Sequence, residues 1–112
     1  MNIITNRNND VFIVKPDKLF DTNTSSEVEK VVLEAIESGE KKVLFDFSKT
    51  DYLSSAGLRV ILRAAKLLQP KGGTAMLCNT NKQIYEVLQI SGFLNTIQCH
   101  KSLAAAIASF DA

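Results

Sequence analysis

Histidine occurs once in this chain, cysteine twice and proline twice, and no apolar run approaches the ~18 residues of a membrane-crossing helix. Each scarcity excludes something. His100 stands near the chain end, after the last expected strand, and nothing sets its imidazole within reach of a serine, as an acyl-transfer triad requires. It reads as a lone surface histidine. Cys78 and Cys99 form neither a CxxC redox pair nor a zinc-ligand set, and each closes an expected strand as a reduced core thiol. The carboxylates do not cluster, so no metal site is expected. Asp46, inside an apolar strand, reads as a strand-end residue bonding nearby loop amides, and Asp51 falls in a loop. Gly72-Gly73 lacks the following Lys-Ser/Thr of a phosphate loop and precedes a strand rather than a helix. The net charge is only +1, with lysines and arginines scattered rather than striped, which gives no electrostatic case for nucleic acid. The N-terminus lacks the apolar segment of a signal peptide, so the expected address is the cytoplasm, without membrane insertion. No cofactor is called for.

What is present is a regular alternation. At 112 residues the chain is long enough for one domain that buries well over half of its unfolded surface. Residues 2–5 and Val11-Phe12-Ile13-Val14 read as two strands of an antiparallel hairpin, turned through Asn6-Arg7-Asn8-Asn9-Asp10 and closed by Pro16. Thr24-Ser25-Ser26-Glu27 has the form of a capping box. A helix with Val28, Val31, Val32, Ala35 and Ile36 on its apolar face follows and stops at Gly39. Residues 42–47 form a strand buried on both faces. A second helix runs to about Gln69, before Pro70, and residues 74–78 are the next strand. Thr80-Asn81-Lys82-Gln83 repeats the capping box before a third helix with Ile84, Val87 and Leu88 inward, ending at Gly92 with Phe93 packed back. A short strand at residues 96–99 and a last helix, capped by Ser102 with Leu103, Ala106, Ile107 and Phe110 inward, complete the order. The expected fold is α/β: an N-terminal hairpin, then alternating elements giving a mostly parallel sheet of about five strands with about four helices packed against it.

The chain is organised around Asp51-Tyr52-Leu53-Ser54-Ser55-Ala56-Gly57-Leu58. From Leu58 the apolar residues fall at Leu58, Ile61, Leu62, Ala65 and Leu68, a helical spacing that puts Ser54 and Ser55 in the N-cap region. Ala56 and Gly57 add almost no bulk, so a serine here can be reached by another protein's active site. The plainer reading is that either serine merely caps the helix. Arg59 falls on the exposed side of the same helix.

Tyr52-Leu53-Ser54-Ser55-Ala56-Gly57-Leu58 resembles the signature of the STAS domain, in particular the stand-alone anti-sigma-factor antagonists of bacteria. The likeness extends to Leu19-Phe20-Asp21-Thr22-Asn23-Thr24, the strand Val43-Leu44-Phe45-Asp46-Phe47 and Ser91-Gly92-Phe93, so it spans nearly the whole of residues 1–112 as a single STAS domain. The resemblance implies that Ser55, two residues before the glycine, is phosphorylated by a dedicated serine kinase. Some members carry aspartate where this chain has Ser54, which keeps Ser54 as the alternative. Asp21 and Thr24 match the family's Asp-x-x-Thr pattern, and the resemblance sets them beside that serine. The implied partner-binding face is Asp21, Thr24, Ser54, Ser55, Ala56, Gly57 and Arg59. The implied role is that of substrate and ligand, not enzyme. The resemblance implies that the unmodified chain binds a cytoplasmic anti-sigma factor that is also an ATP-using serine kinase. It implies too that phosphorylation ends the complex and that a metal-dependent serine phosphatase restores it. The alternatives are a STAS module of a lipid-transport or ligand-sensing complex and, from another class, a small hydrolase using Ser55.

Overall fold

A five-stranded sheet, in spatial order β1 (Ile4–Asn8), β2 (Val11–Lys15), β4 (Lys42–Asp46), β6 (Thr74–Cys78) and β7 (Gln98–His100), forms the centre of the computed structural model, which describes residues 3–111. β1 (Ile4–Asn8) and β2 (Val11–Lys15) make the antiparallel hairpin, with Asn8 opposite Val11. The turn is only Asn9-Asp10, and Asn9 takes φ 55°, a left-handed value that asparagine tolerates. The expected first strand therefore continues through Asn6, Arg7 and Asn8, which the sequence reading gave to the turn; Asn2 lies outside the described residues. Polarity misled that reading, because β1 is a wholly exposed edge strand whose side chains need not be apolar.

The remaining strands, β4 (Lys42–Asp46), β6 (Thr74–Cys78) and β7 (Gln98–His100), add in parallel beside β2. Each step moves the same way across the sheet, so right-handed crossovers carry all the intervening helices to one face. These are α1 (Ser25–Glu37), α2 (Ser55–Leu68) and α3 (Lys82–Ile90). Val14, Val43, Phe45, Ala75 and Leu77 meet them there, while the alternate strand residues Val11, Ile13, Leu44, Met76 and Cys78 point to the other face. That second face is covered by α4 (Leu103–Phe110) through Ala106, flanked by Leu103, Ile107 and Phe110. β7 ends at His100, so the histidine lies in the strand rather than after it, its Nε2 3.1 Å from Gln98 Oε1.

Helix ends follow from local chemistry. Gly39 and Gly92 take φ of 110° and 76° and stop α1 and α3 as expected; past α1 the Gly39 and Glu40 N–H groups donate to Ile36 and Ala35. Phe93 is buried behind Gly92. The N-terminal ends depart from the two expected capping boxes. Asn81, not Thr80, caps α3, its Oδ1 accepting from the Ile84 N–H at 2.7 Å, as asparagine outranks threonine there. Thr24 precedes α1 but gives it no side-chain cap. In α3 only Ile84 and Leu88 are buried and Val87 is exposed, because a nine-residue helix on a sheet edge hides a narrow stripe.

At the carboxyl ends of the strands, Asp46 is 2 % exposed and its Oδ1 accepts from the Ser48 N–H and Asn79 Nδ2, both at 3.0 Å, with Lys15 Nζ 3.7 Å from Oδ2. The expected loop-amide role holds. Both cysteines are free. Burial, with the Asp46 carboxylate adding to it, pushes the Cys78 thiol up to about 12, and burial also raises half-buried Cys99, so neither carries a reactive thiolate at neutral pH.

Candidate functional site

A second, two-stranded sheet builds the site. β3 (Leu19–Phe20) and β5 (Tyr52–Leu53) pair in parallel, Leu19 with Tyr52 and Phe20 with Leu53. Phe20 and Leu53 point into the core; Leu19 and Tyr52 point out, 51 % and 46 % exposed. The pairing ties the loop after β3 to the start of α2. The Ser54 N–H donates to the Phe20 carbonyl at 3.0 Å, and the Asp51 and Tyr52 N–H groups both donate to the Lys18 carbonyl. Thr50, buried, adds a bond from its hydroxyl to the Pro16 carbonyl.

Gly57 lets these parts approach. A Cβ there would stand 2.6 Å from Leu53 Cδ1 and 2.8 Å from the Phe20 carbonyl oxygen. No larger residue fits without moving backbone. The first turn of α2 is therefore seated directly on β3, and its buried face is Gly57, Val60, Ile61, Ala64 and Leu68. This face is rotated from the expected one. Leu58, Leu62 and Ala65 are half-buried flanks, while Val60, absent from the expected set, is 5 % exposed. Apolar side chains cover so much of this helix that spacing alone left its phase open. The small residues Gly57 and Ala64 mark the line of closest approach.

The two serines do different things. Ser54 is the N-cap, half-buried, with extended backbone angles and its Oγ accepting from the Gly57 N–H at 3.3 Å. Ser55 is the first helical residue, exposed, and its hydroxyl has no hydrogen-bond partner among the described residues. Ser54→Ala should therefore cost about 0.5–2 kcal/mol in thermal or denaturant unfolding, the usual loss for an N-cap hydroxyl. Ser55→Ala should stay within about 0.5 kcal/mol of the parent, as exposed substitutions away from such features do. A reversed order would assign the cap to Ser55.

The other expected site residues lie around this turn. The Asp21 carboxylate folds its own loop, Oδ1 accepting from the Asn23 and Thr24 N–H groups at 3.0 and 3.3 Å. Thr24 Oγ1 accepts from the Asp21 N–H at 3.0 Å and donates to the Leu19 carbonyl at 2.7 Å. With its hydroxyl turned back to β3, Thr24 has none left for the helix, which is why the capping box does not form. The structure thus brings the Asp21–Thr24 loop and the α2 start together through the β3–β5 pairing. Arg59 is exposed, has no carboxylate partner among the described residues, and lines a shallow groove of roughly 300 Å³ with Ser25, Glu29 and Ala56, between the starts of α1 and α2. Sequence reasoning missed Leu19 and Tyr52. No local signal marks them, since each opens a two-residue strand that exists only through its pairing with the other. Among the described residues no group of three or more histidine, cysteine, aspartate or glutamate side chains could hold a metal, and no helix is long and apolar enough to cross a membrane.

The family resemblance implied an Asp-x-x-Thr loop beside a serine-started helix; the small parallel sheet that joins the two was not expected from the sequence. The STAS domain model matches residues 2–106, and the chain belongs to the STAS domain family. A protein of Bordetella bronchiseptica, provisionally named anti-sigma factor antagonist BtrV, is 38 % identical over 86 residues, 77 % of this chain and 74 % of that one. The fold matches the crystal structure of a provisionally named anti-sigma factor antagonist from Thermotoga maritima with a TM-score of 0.93 at 20 % identity, over 98 % of this chain and 95 % of that one. It also matches the Bacillus cell fate determinant SpoIIAA in its phosphorylated form, with a TM-score of 0.77 at 16 % identity over 97 % and 99 % of the two chains.

Proposed function

We propose that this protein is an anti-sigma factor antagonist of a partner-switching pathway, with Ser55 as its phosphorylation site. The observation that carries the reading is the division of labour at the α2 start: Ser54 is held as the cap, while Ser55 stands exposed beside it with its hydroxyl uncommitted. In the unmodified state the face around Ser55 binds a cytoplasmic anti-sigma factor that is also an ATP-using serine kinase. Leu19 and Tyr52 supply an apolar pair on that face, and Asp21, Thr24, Ala56 and Arg59 shape its rim; Gly57, expected on the face, is buried against β3 and serves only to seat the α2 start. Exposed aromatic and aliphatic side chains next to a small polar turn suit a protein contact.

Phosphorylation adds about −1.5 to −2 charges and three acceptor oxygens at this point. The α2 N-terminus receives that anion well, because its free N–H groups and dipole favour negative charge. The fold survives while the face changes sign and bulk, which ends the complex; a metal-dependent serine phosphatase resets it. The chain acts as substrate and ligand. BtrV and the phosphorylated SpoIIAA support the reading through their names alone. Incubation with ATP and candidate serine kinases from the same genome, followed by peptide mass spectrometry, tests it. Phosphate on Ser55 is the expected result. Phosphate on Ser54 alone would move the switch to the cap, and none with any kinase would defeat the reading.

A further inference from the structure

The ends of β6 and β7 part in opposite directions. From β6 the chain turns through Asn79, Thr80 and Asn81 into α3, on the face shared with α1 and α2; from β7 it turns through Lys101 and Ser102 into α4, on the other face. The two strands are parallel neighbours, Cys78 beside His100. In open α/β sheets such a parting of connections leaves a crevice outside the carboxyl ends of the strands, and ligands bind there because loops from both sides can reach into it.

The crevice is present as a cavity of roughly 430 Å³, lined by Thr80, Asn81, Lys82, Tyr85, His100 and Lys101 among others. That volume falls within the range of small-molecule sites. Its charge is one-sided. Two lysines line it and no carboxylate does. Lys82 and Lys101 have no ion-pair partner among the described residues, which is true of most of this chain's lysines; what sets these two apart is that they line one crevice with no carboxylate in it. One wall is held fixed, since Asn81 Oδ1 accepts from the Ile84 N–H and its Nδ2 donates to the Asp51 carbonyl. Tyr85, 43 % exposed, offers a flat ring.

We propose that this crevice binds a small organic anion, with Lys82 and Lys101 on its phosphate or carboxylate and a flat apolar body against Tyr85. The site is separate from Ser55 and does not depend on how that serine is used. Amide NMR titration of the whole chain with phenyl phosphate, benzoate and inorganic phosphate, at ionic strength held constant with sodium chloride, tests the assignment. Saturable shifts are expected at residues 80–85 and 99–102. Phenyl phosphate should bind about tenfold or more tightly than inorganic phosphate, because only it has a ring for Tyr85, and Tyr85→Ala should erase that advantage. Benzoate against phenyl phosphate tells which anionic head is preferred. The Lys82→Gln, Lys101→Gln double variant should keep its melting temperature and weaken phenyl phosphate by about tenfold or more, while Lys66→Gln, on exposed α2 surface, changes nothing. Shifts that do not saturate, that spread over surface lysines generally, or that survive the double substitution would overturn the proposal.

Discussion

Ser55→Asp should fold as well as the parent and bind the proposed partner kinase on the order of thirtyfold more weakly, equivalent to about 2 kcal/mol. The two halves of this expectation have separate causes. Ser55 is the first residue of α2 and its hydroxyl bonds nothing among the described residues, so no contact is lost on substitution. A carboxylate at that position meets the positive end of the helix dipole, a gain of about 0.3–1 kcal/mol at an exposed site. The melting temperature should hold or rise slightly. In the proposed complex the same carboxylate would be stripped of water without a cation supplied to meet it, a penalty of several kcal/mol per ion that binding only partly escapes. Ser55→Ala is the control, retaining the kinase and resisting phosphorylation. Thermal melts and calorimetric titrations of the three proteins supply the comparison. Normal binding by Ser55→Asp would sink the electrostatic account and leave only the bulk of the phosphate to act.

The larger effect on stability is expected inside α2. Ile61 is 0 % exposed in the main core cluster, so Ile61→Ala should cost about 2–5 kcal/mol from lost transfer energy and the cavity left behind. Leu58 is half-buried at the margin of the same face, and Leu58→Ala should cost less, roughly 1–2 kcal/mol in proportion to the area it hides. Arg59 is exposed, and Arg59→Ala should stay within about 0.5 kcal/mol. Urea unfolding of the three variants gives the order directly. Ile61, then Leu58, then Arg59 is the signature of the observed helix phase. Equal costs at positions 58 and 61 would restore the phase that the spacing alone suggested.

The strand-helix alternation was legible because both periods are strong in this chain. Residues 42–47 are apolar on both sides, and the helices carry three- and four-residue spacing with glycine stops at Gly39 and Gly92. The Ser54–Gly57 turn stood out for the same reason, lying between an apolar run and a helical pattern. What escaped had no local signature. β3 and β5 are two residues each, too short to show alternation, and exist only because Leu19 and Phe20 find Tyr52 and Leu53 some thirty residues away. Thr24 shows the same limit from the other side. Its sequence neighbourhood promises a helix cap, yet its hydroxyl goes to the Leu19 carbonyl, a partner created by tertiary pairing. The division between Ser54 and Ser55 likewise depends on backbone angles that two identical side chains cannot announce.

Gly57 has a mechanical consequence. With a carbonyl oxygen and a leucine methyl both inside 3 Å of where a Cβ would stand, the first turn of α2 has no slack along the direction in which it is seated. A helix end seated so tightly has little room to move further inward. If Ser55 is the proposed switch, this seating favours a signal read where it is written, by a molecule that touches it, over one carried inward as motion of the helix end.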